Sequence, residues 1–241
     1  VNSAESDNLN KFIHELEKPY ADKGGVGCAD LIDPAILSPD PLIAELVFSM
    51  LVWESSIEHG LRAVSRIQDD LIDLNELRVC TPEELSGILP SRYPRSLERC
   101  QRLISILNTI FITENRLSLV HLREMHKQDV IRYFKAIDGM TPFASSRVIL
   151  FGLGWHAFPI DDWLTKQLSK RGITDTSLDI HQQTQRLERM VRASDSLRYY
   201  TLIEHWAQSK RAGKSTAHTN PSPSKSISKS PVSKSASKGS A

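Results

Sequence analysis

From Pro41 to about Gln208 the apolar residues recur mostly at helical spacing, and no stretch alternates with period two over a β-branched run. The chain therefore reads as all-α. A first helix is expected from about Leu42 to Ser65, with Leu42, Leu46, Val47, Met50 and Leu51 on its apolar side. Thr81-Pro82-Glu83-Glu84 starts another, because threonine caps a helix, proline is tolerated at its first position and early carboxylates face the positive end of its dipole. Two more are expected from about Arg95 to Ile112 and from Lys127 to Ala136, the second with Val130, Ile131 and Phe134 on one face. Gly139 and Pro142 break the pattern before a helix from about Phe143 to Gly152. Asp161 is a natural N-cap for a helix ending near Gly172, and residues from about Gln182 to Gln208 form the last helical stretch.

Composition changes this picture mainly at the C-terminal end. Beyond Ser209 the chain turns to Ser, Lys, Pro and small residues, with Ser-x-Ser-Lys at Ser222 to Lys225, Ser226 to Lys229 and Ser235 to Lys238. Such a segment buries too little surface to fold, so residues 209–241 are expected to be a disordered tail. Lys210, Arg211, Lys214, Lys225, Lys229, Lys234 and Lys238 give it a charge of +7 with no acid. A basic arm of this kind attracts polyanions without reading sequence, although a solubilising terminus has the same composition.

The rest is less directive. Apolar residues make up 40% of the 241 and charged residues 24%, and the formal net charge is +1, so overall charge points to no particular partner. Acidic or basic residues interrupt every apolar stretch before about 18 residues, which excludes an ordinary membrane span. Val1 to Asn10 are polar and acidic, unlike a secretory signal, so a cytoplasmic location is expected, nucleoid-associated in a bacterium. Cys28, Cys80 and Cys100 are too few and too scattered for a disulfide framework or a four-cysteine metal site. Cys100 shares the stripe Leu97, Leu103, Ile104 and Leu107, where it serves as a small buried hydrophobe. His121, Glu124 and His126 miss the one-face spacing of a zinc helix, and Gly24-Gly25-Val26-Gly27 lacks the lysine of a phosphate loop.

One segment carries more. Ile137-Asp138-Gly139-Met140-Thr141-Pro142-Phe143-Ala144-Ser145 lies between two helices, and Phe151-Gly152 and Trp155 stand between it and Ile160-Asp161. This arrangement resembles, without a gap, the stretch from hairpin to catalytic aspartate in the helix-hairpin-helix DNA glycosylases of the endonuclease III superfamily. Val52-Trp53-Glu54-Ser55-Ser56 is similar to the family's lesion-gap loop, Leu85 to Leu103 to its next hairpin region, and Asp161-Asp162 to its alkylated-base branch. The likeness covers about residues 41–172, with a weaker match of Leu197 to Lys210 to the closing helix.

The resemblance implies a two-lobed helical fold. Residues 1–40 would pack with a second lobe of residues 153–208, and 41–152 would form a six-helix barrel-like domain that includes the hairpin at 137–145. It implies Asp161 as catalytic residue and Gly139, Met140, Thr141 and Glu54 as nucleic-acid contacts. The departures narrow the chemistry. Thr141 and Pro142 replace the second glycine and a backbone donor of the hairpin, and Glu54 replaces a glutamine. Phe143 stands at the position of the lysine that bifunctional members use for a Schiff base, and no cysteine follows Cys100 to hold an iron-sulfur cluster.

The function so implied is a monofunctional DNA N-glycosylase that removes a damaged base, an alkylated one being the leading candidate, with Asp161 and water. It would act as a monomer on double-stranded DNA, with neither metal nor cofactor and away from membranes. The alternative is a catalytically degenerate DNA-binding protein of the same fold; a helical interaction module with no DNA role ranks third. Trp53, Trp155 and Trp163 are candidate pocket walls, although tryptophans at helical spacing usually belong to the core.

Overall fold

The computed structural model describes residues 3–216, and over these residues the chain is helical with no strand. Its centre is α3, Pro41–Val52, started by the Asp40 carboxylate, which accepts from Leu42 N–H at 2.8 Å, and by Pro41 at the first position. Every residue from Leu42 to Val52 is buried, so the helix is enclosed on all sides, as its nearly uniform apolar sequence requires.

The single helix expected from Leu42 to Ser65 is instead two. It ends at Val52, and α4 runs from Ile57 to Asp70 with Ser56 as its cap, the hydroxyl accepting from His59 N–H at 3.1 Å. Between them Glu54 adopts a left-handed backbone, φ 51°, which no helix can continue through.

α5 (Leu74–Val79) precedes α6 (Pro82–Ile88), which starts at the Thr81 cap expected from the sequence, and the structure adds a reciprocal capping box: Thr81 Oγ1 accepts from Glu84 N–H, and Glu84 accepts from Thr81 N–H at 2.8 Å. α7 (Ser96–Glu114) lies across α6 and α5. α8 (Lys127–Ala136) has the bounds the sequence predicts. α9 (Pro142–Arg147) continues into a π-helical turn, Val148–Gly152, and both pack on α3.

α10 (Asp162–Ser169) begins at its Asp161 cap and stops at Ser169, before the expected end near Gly172. The last expected helix is also divided, into α11 (Ile180–Met190) and α12 (Ser196–Thr216), with Val191 to Asp195 turning between them. An N-terminal helix, α1 (Ser3–Tyr20), buries Leu9, Phe12, Ile13 and Leu16 against α12, where Phe12 meets Trp206 edge-on with ring centroids 4.9 Å apart, and a single turn, α2 (Cys28–Leu31), follows it and packs on α3. Asn8 donates to Gly172 O at 3.1 Å and Arg171 pairs with Glu15 at 2.7 Å, so α1 also touches the α10–α11 connection.

Two sequence expectations meet the C-terminal region. Residues 209–216, placed in a disordered tail by composition, are the last turns of α12; Ser209 and Arg211 make tertiary contacts there, Tyr20 Oη donating to Ser209 Oγ at 3.1 Å and Arg211 to Asp161 at 2.7 Å. The remainder of the Ser/Lys-rich tail, 217–241, lies outside the described residues. Among the described residues no helix is long and apolar enough to cross a membrane.

Candidate active site

The loop that breaks α3 from α4 is built by long-range capping. A helix C-terminus leaves carbonyls without donors and carries partial negative charge. The buried Arg99 guanidinium fills that need, donating to the carbonyls of Met50, Trp53 and Pro94, and Tyr93 Oη donates to Leu51 O at 2.6 Å. Trp53 is enclosed by the guanidinium groups of Arg95, Arg99 and Arg102, at 4.6, 5.7 and 5.3 Å from its ring centroid. Arg102 also donates to Gly139 O at 3.3 Å, and Ser105 to Asp138 at 2.8 Å, so one arginine ties this loop to the hairpin between α8 and α9.

Glu54 is thereby presented to the start of α10. Its N–H donates to Asp161 Oδ2 at 3.2 Å, while its own Oε1 accepts from Asp162 N–H at 2.7 Å. These reciprocal bonds, joining residues 107 and 108 positions apart, hold the left-handed backbone in place. Asp161 Oδ1 accepts from Leu164 N–H at 2.7 Å, so the aspartate is at once the helix cap and a partner of Glu54.

A cation completes the cluster. Arg211, on α12, donates from Nη2 to Asp161 Oδ2 at 2.7 Å and lies over the Trp163 ring, its Cζ 4.3 Å from the centroid. The side chains are 14% and 1% exposed, so solvent screens this pair little. Burial, followed by the Asp161 charge, pushes the Glu54 carboxyl above its ordinary range, against the Asp162 N–H and Arg211, which favour ionisation. Burial works against the Arg211 charge as well, but Asp161 and then Glu204 outweigh it and strengthen the guanidinium's hold on its proton.

A second buried network backs the first. Arg147 donates to Glu45 Oε1 and Ser49 Oγ, each at 3.2 Å, to Tyr200 Oη at 3.2 Å and to Val26 O at 2.7 Å; Tyr200 in turn donates to Glu204 at 3.3 Å. Beside the Glu54–Asp161–Arg211 cluster opens a cavity of about 750 Å³, whose walls include Glu54, Ser55, His59, Trp163, Gln208 and Arg211. Asp161 does not line this cavity, whereas Arg211, bonded to it, does.

The sequence-predicted residues are therefore distributed unequally. Glu54 and Asp161 meet. Trp163 lines the cavity, whereas Trp53 is walled in by arginines and Trp155 is half-buried. Gly139 has φ +82°, and an added Cβ would come within 3.0 Å of Arg102 O, so its place in the turn excludes a side chain. Thr141 is buried and faces inward: its Oγ1 caps α9 through Ala144 N–H at 3.1 Å and approaches Met50 Sδ at 3.7 Å. Met140 is half-buried, its N–H donating to Ile137 O, and Phe143 is buried with its ring 5.8 Å from the Arg147 guanidinium.

No protein-family model and no curated protein matches this sequence. Solved structures do match. Endonuclease III trapped as a covalent intermediate with DNA superposes with a TM-score of 0.60 at 11% identity, over 83% of this chain and 85% of that one. The H. pylori 3-methyladenine DNA glycosylase bound to 1,N6-ethenoadenine superposes with a TM-score of 0.55 at 12% identity, over 84% of this chain and 98% of that one.

The fold is that of the helix-hairpin-helix DNA glycosylases. Sequence reasoning missed Arg99, which seats the Trp53–Glu54 loop, and Arg211, which covers Asp161. Arg99 lay on a periodic helix and drew no notice, while Arg211 was hidden in a stretch whose composition signalled disorder.

Proposed function

We propose that this protein is a monofunctional DNA N-glycosylase that takes a damaged base, an alkylated one foremost, from double-stranded DNA. Asp161 would either stabilise the oxocarbenium-like sugar or orient the attacking water. The observation that carries the reading is the position of Asp161: a carboxylate 1% exposed at the start of α10, accepting from the backbone N–H groups of Glu54 and Leu164 and paired with an arginine that lines a cavity together with Trp163, within this fold. Buried carboxylates act strongly on developing positive charge because little water screens them. Phe143 has no amine, so no Schiff base forms at that position and strand cleavage through it is excluded.

In the same reading, residues 1–40 and 153–208 form one lobe and 41–152 the other. The protein acts as a monomer without metal or cofactor, and Gly139, Met140 and Glu54 lie along the DNA path. Thr141 serves there through its backbone, its side chain being used as a cap.

The test is base release from duplex oligonucleotides carrying a panel of lesions. Wild type is expected to release at least one base and Asp161→Asn to lose most of that activity; equal rates would remove Asp161 from the mechanism. A second reading, a catalytically degenerate DNA-binding protein, draws on the Arg211 side chain lying over Asp161. It predicts duplex binding without release of any base, falling steeply with salt and on removal of residues 217–241.

A further inference from the structure

Arg211 has an unusual pattern of contacts for a residue that merely fastens a helix. Of its donors, Nη2 bonds to Asp161, while Nε is buried with no hydrogen-bond partner. Near it also lie the Trp163 indole, with Cζ 4.3 Å over the ring centroid, and the carboxylates of Glu54 and Glu204, which act on it through space. A guanidinium is a planar, delocalised cation. Trp163 on its face and Asp161 at its edge thus bind it as they would bind a planar cationic heterocycle, beside a cavity of about 750 Å³ large enough to admit one. Removing Arg211 with nothing in its place would leave the Asp161 carboxylate buried without its cation, next to Glu54.

We propose that the Arg211 guanidinium occupies the subsite of the excised base as an internal competitor. The subsite is built for a planar cation stacked on Trp163 and paired with Asp161, and base binding and the Arg211–Asp161 pair exclude each other. The proposal rests on the glycosylase reading for the identity of the natural occupant, and on the geometry alone for the nature of the subsite. Arg211 belongs to the last turns of α12, so its withdrawal needs a rotamer change or local fraying at a helix end, not a rearrangement of the core.

The experiment compares wild type with Arg211→Ala in calorimetric titrations of two isomeric nucleosides, 1-methyladenosine, a cation at neutral pH, and N6-methyladenosine, which is neutral. Arg211→Ala is expected to bind the cation tighter than wild type by on the order of tenfold to a hundredfold, the factor gained when a charged hydrogen-bonded pair no longer has to be broken. In both proteins the neutral isomer should bind more weakly than the cation. Methylguanidinium should compete with 1-methyladenosine for Arg211→Ala and leave wild type unaffected. Arg211→Gln, which keeps a planar donor to Asp161 and guards against a loosened α12, should fall between the two.

Equal affinity of wild type and both variants for the cation, the absence of any binding, no effect of methylguanidinium, or equal binding of the isomers would each overturn the proposal. Lesion-release assays on the same proteins separate the two readings. Tightened binding with no base released from any duplex upholds the internal competitor and removes the glycosylase. Release by wild type with no tightening in Arg211→Ala does the reverse.

Discussion

Replacing Asp161 with asparagine tests the resting state of the site independently of catalysis. The carboxylate now accepts three hydrogen bonds: Oδ1 from Leu164 N–H at 2.7 Å, and Oδ2 from Glu54 N–H at 3.2 Å and Arg211 Nη2 at 2.7 Å. Asparagine caps a helix about as well as aspartate, so its oxygen can keep the Leu164 bond. Its amide then turns two hydrogens toward two donors, and the bonds to Glu54 and Arg211 are both lost. Losing a hydrogen bond to a charged group costs roughly 1.5–3 kcal/mol, partly offset by the removal of charge repulsion between Asp161 and Glu54. A net loss of about 2 kcal/mol follows, which for a domain of this size lowers the midpoint of thermal unfolding by roughly 4–8 °C. Urea unfolding followed by circular dichroism, at low and at high salt, measures it. Because the pair is buried, most of the loss should persist at high salt. A variant as stable as wild type, or more so, would refute the reasoning, and would mean that Asp161 is held at a cost, as strained catalytic groups often are.

Two further outcomes are expected. Glu54→Gln should change the pH dependence of stability: burial and Asp161 raise the Glu54 carboxyl in the folded state, so its contribution is fully present below the unfolded value, near 4.5, and is lost as pH rises through the folded value. The variant lacks that loss, so its stability relative to wild type should climb as pH rises above about 4.5, and parallel pH profiles of the two proteins would count against the assigned direction. Arg147→Met leaves Glu45 buried without its cation and should cost about 3–5 kcal/mol in urea unfolding at neutral pH. Adding Glu45→Leu should recover part of that loss, whereas strictly additive losses would show that the pair is not coupled.

The parts of this molecule that were legible in its sequence are those fixed by neighbours in the chain. α8 runs from Lys127 to Ala136 as its spacing predicts, Thr81 and Glu84 close their box within four residues, and Asp161 caps the next turn. Local chemistry suffices for each of them. Periodicity runs straight through the break at Glu54, because neither glycine nor proline marks it, and only the resemblance of Val52 to Ser56 to a family loop points there. The left-handed backbone of Glu54 is supported by hydrogen bonds to the start of α10, more than a hundred residues away.

α1 escaped notice for a different reason. Leu9, Phe12, Ile13 and Leu16 form a proper stripe, but the polar residues around them lower the average apolarity, and only the surface of α12 gives the stripe something to cover. At the site, the family resemblance singled out Asp161 and the hairpin segment. The charge on Arg211 was read as part of a solvated tail because its partner stands 50 positions earlier, a distance at which periodicity carries no information.

That separation also bears on the order in which the site is finished. Chains emerge from the ribosome with the N-terminal end leading. Glu54, Asp161 and Trp163 are therefore all available before the cation that pairs with Asp161 has been synthesised, and the centre passes through an anionic stage that ends only when the last helix docks. Any shortened version of the protein that stops before Arg211, however sound its core, would be frozen at that stage. Its affinity for cations would describe an assembly intermediate, not the finished molecule.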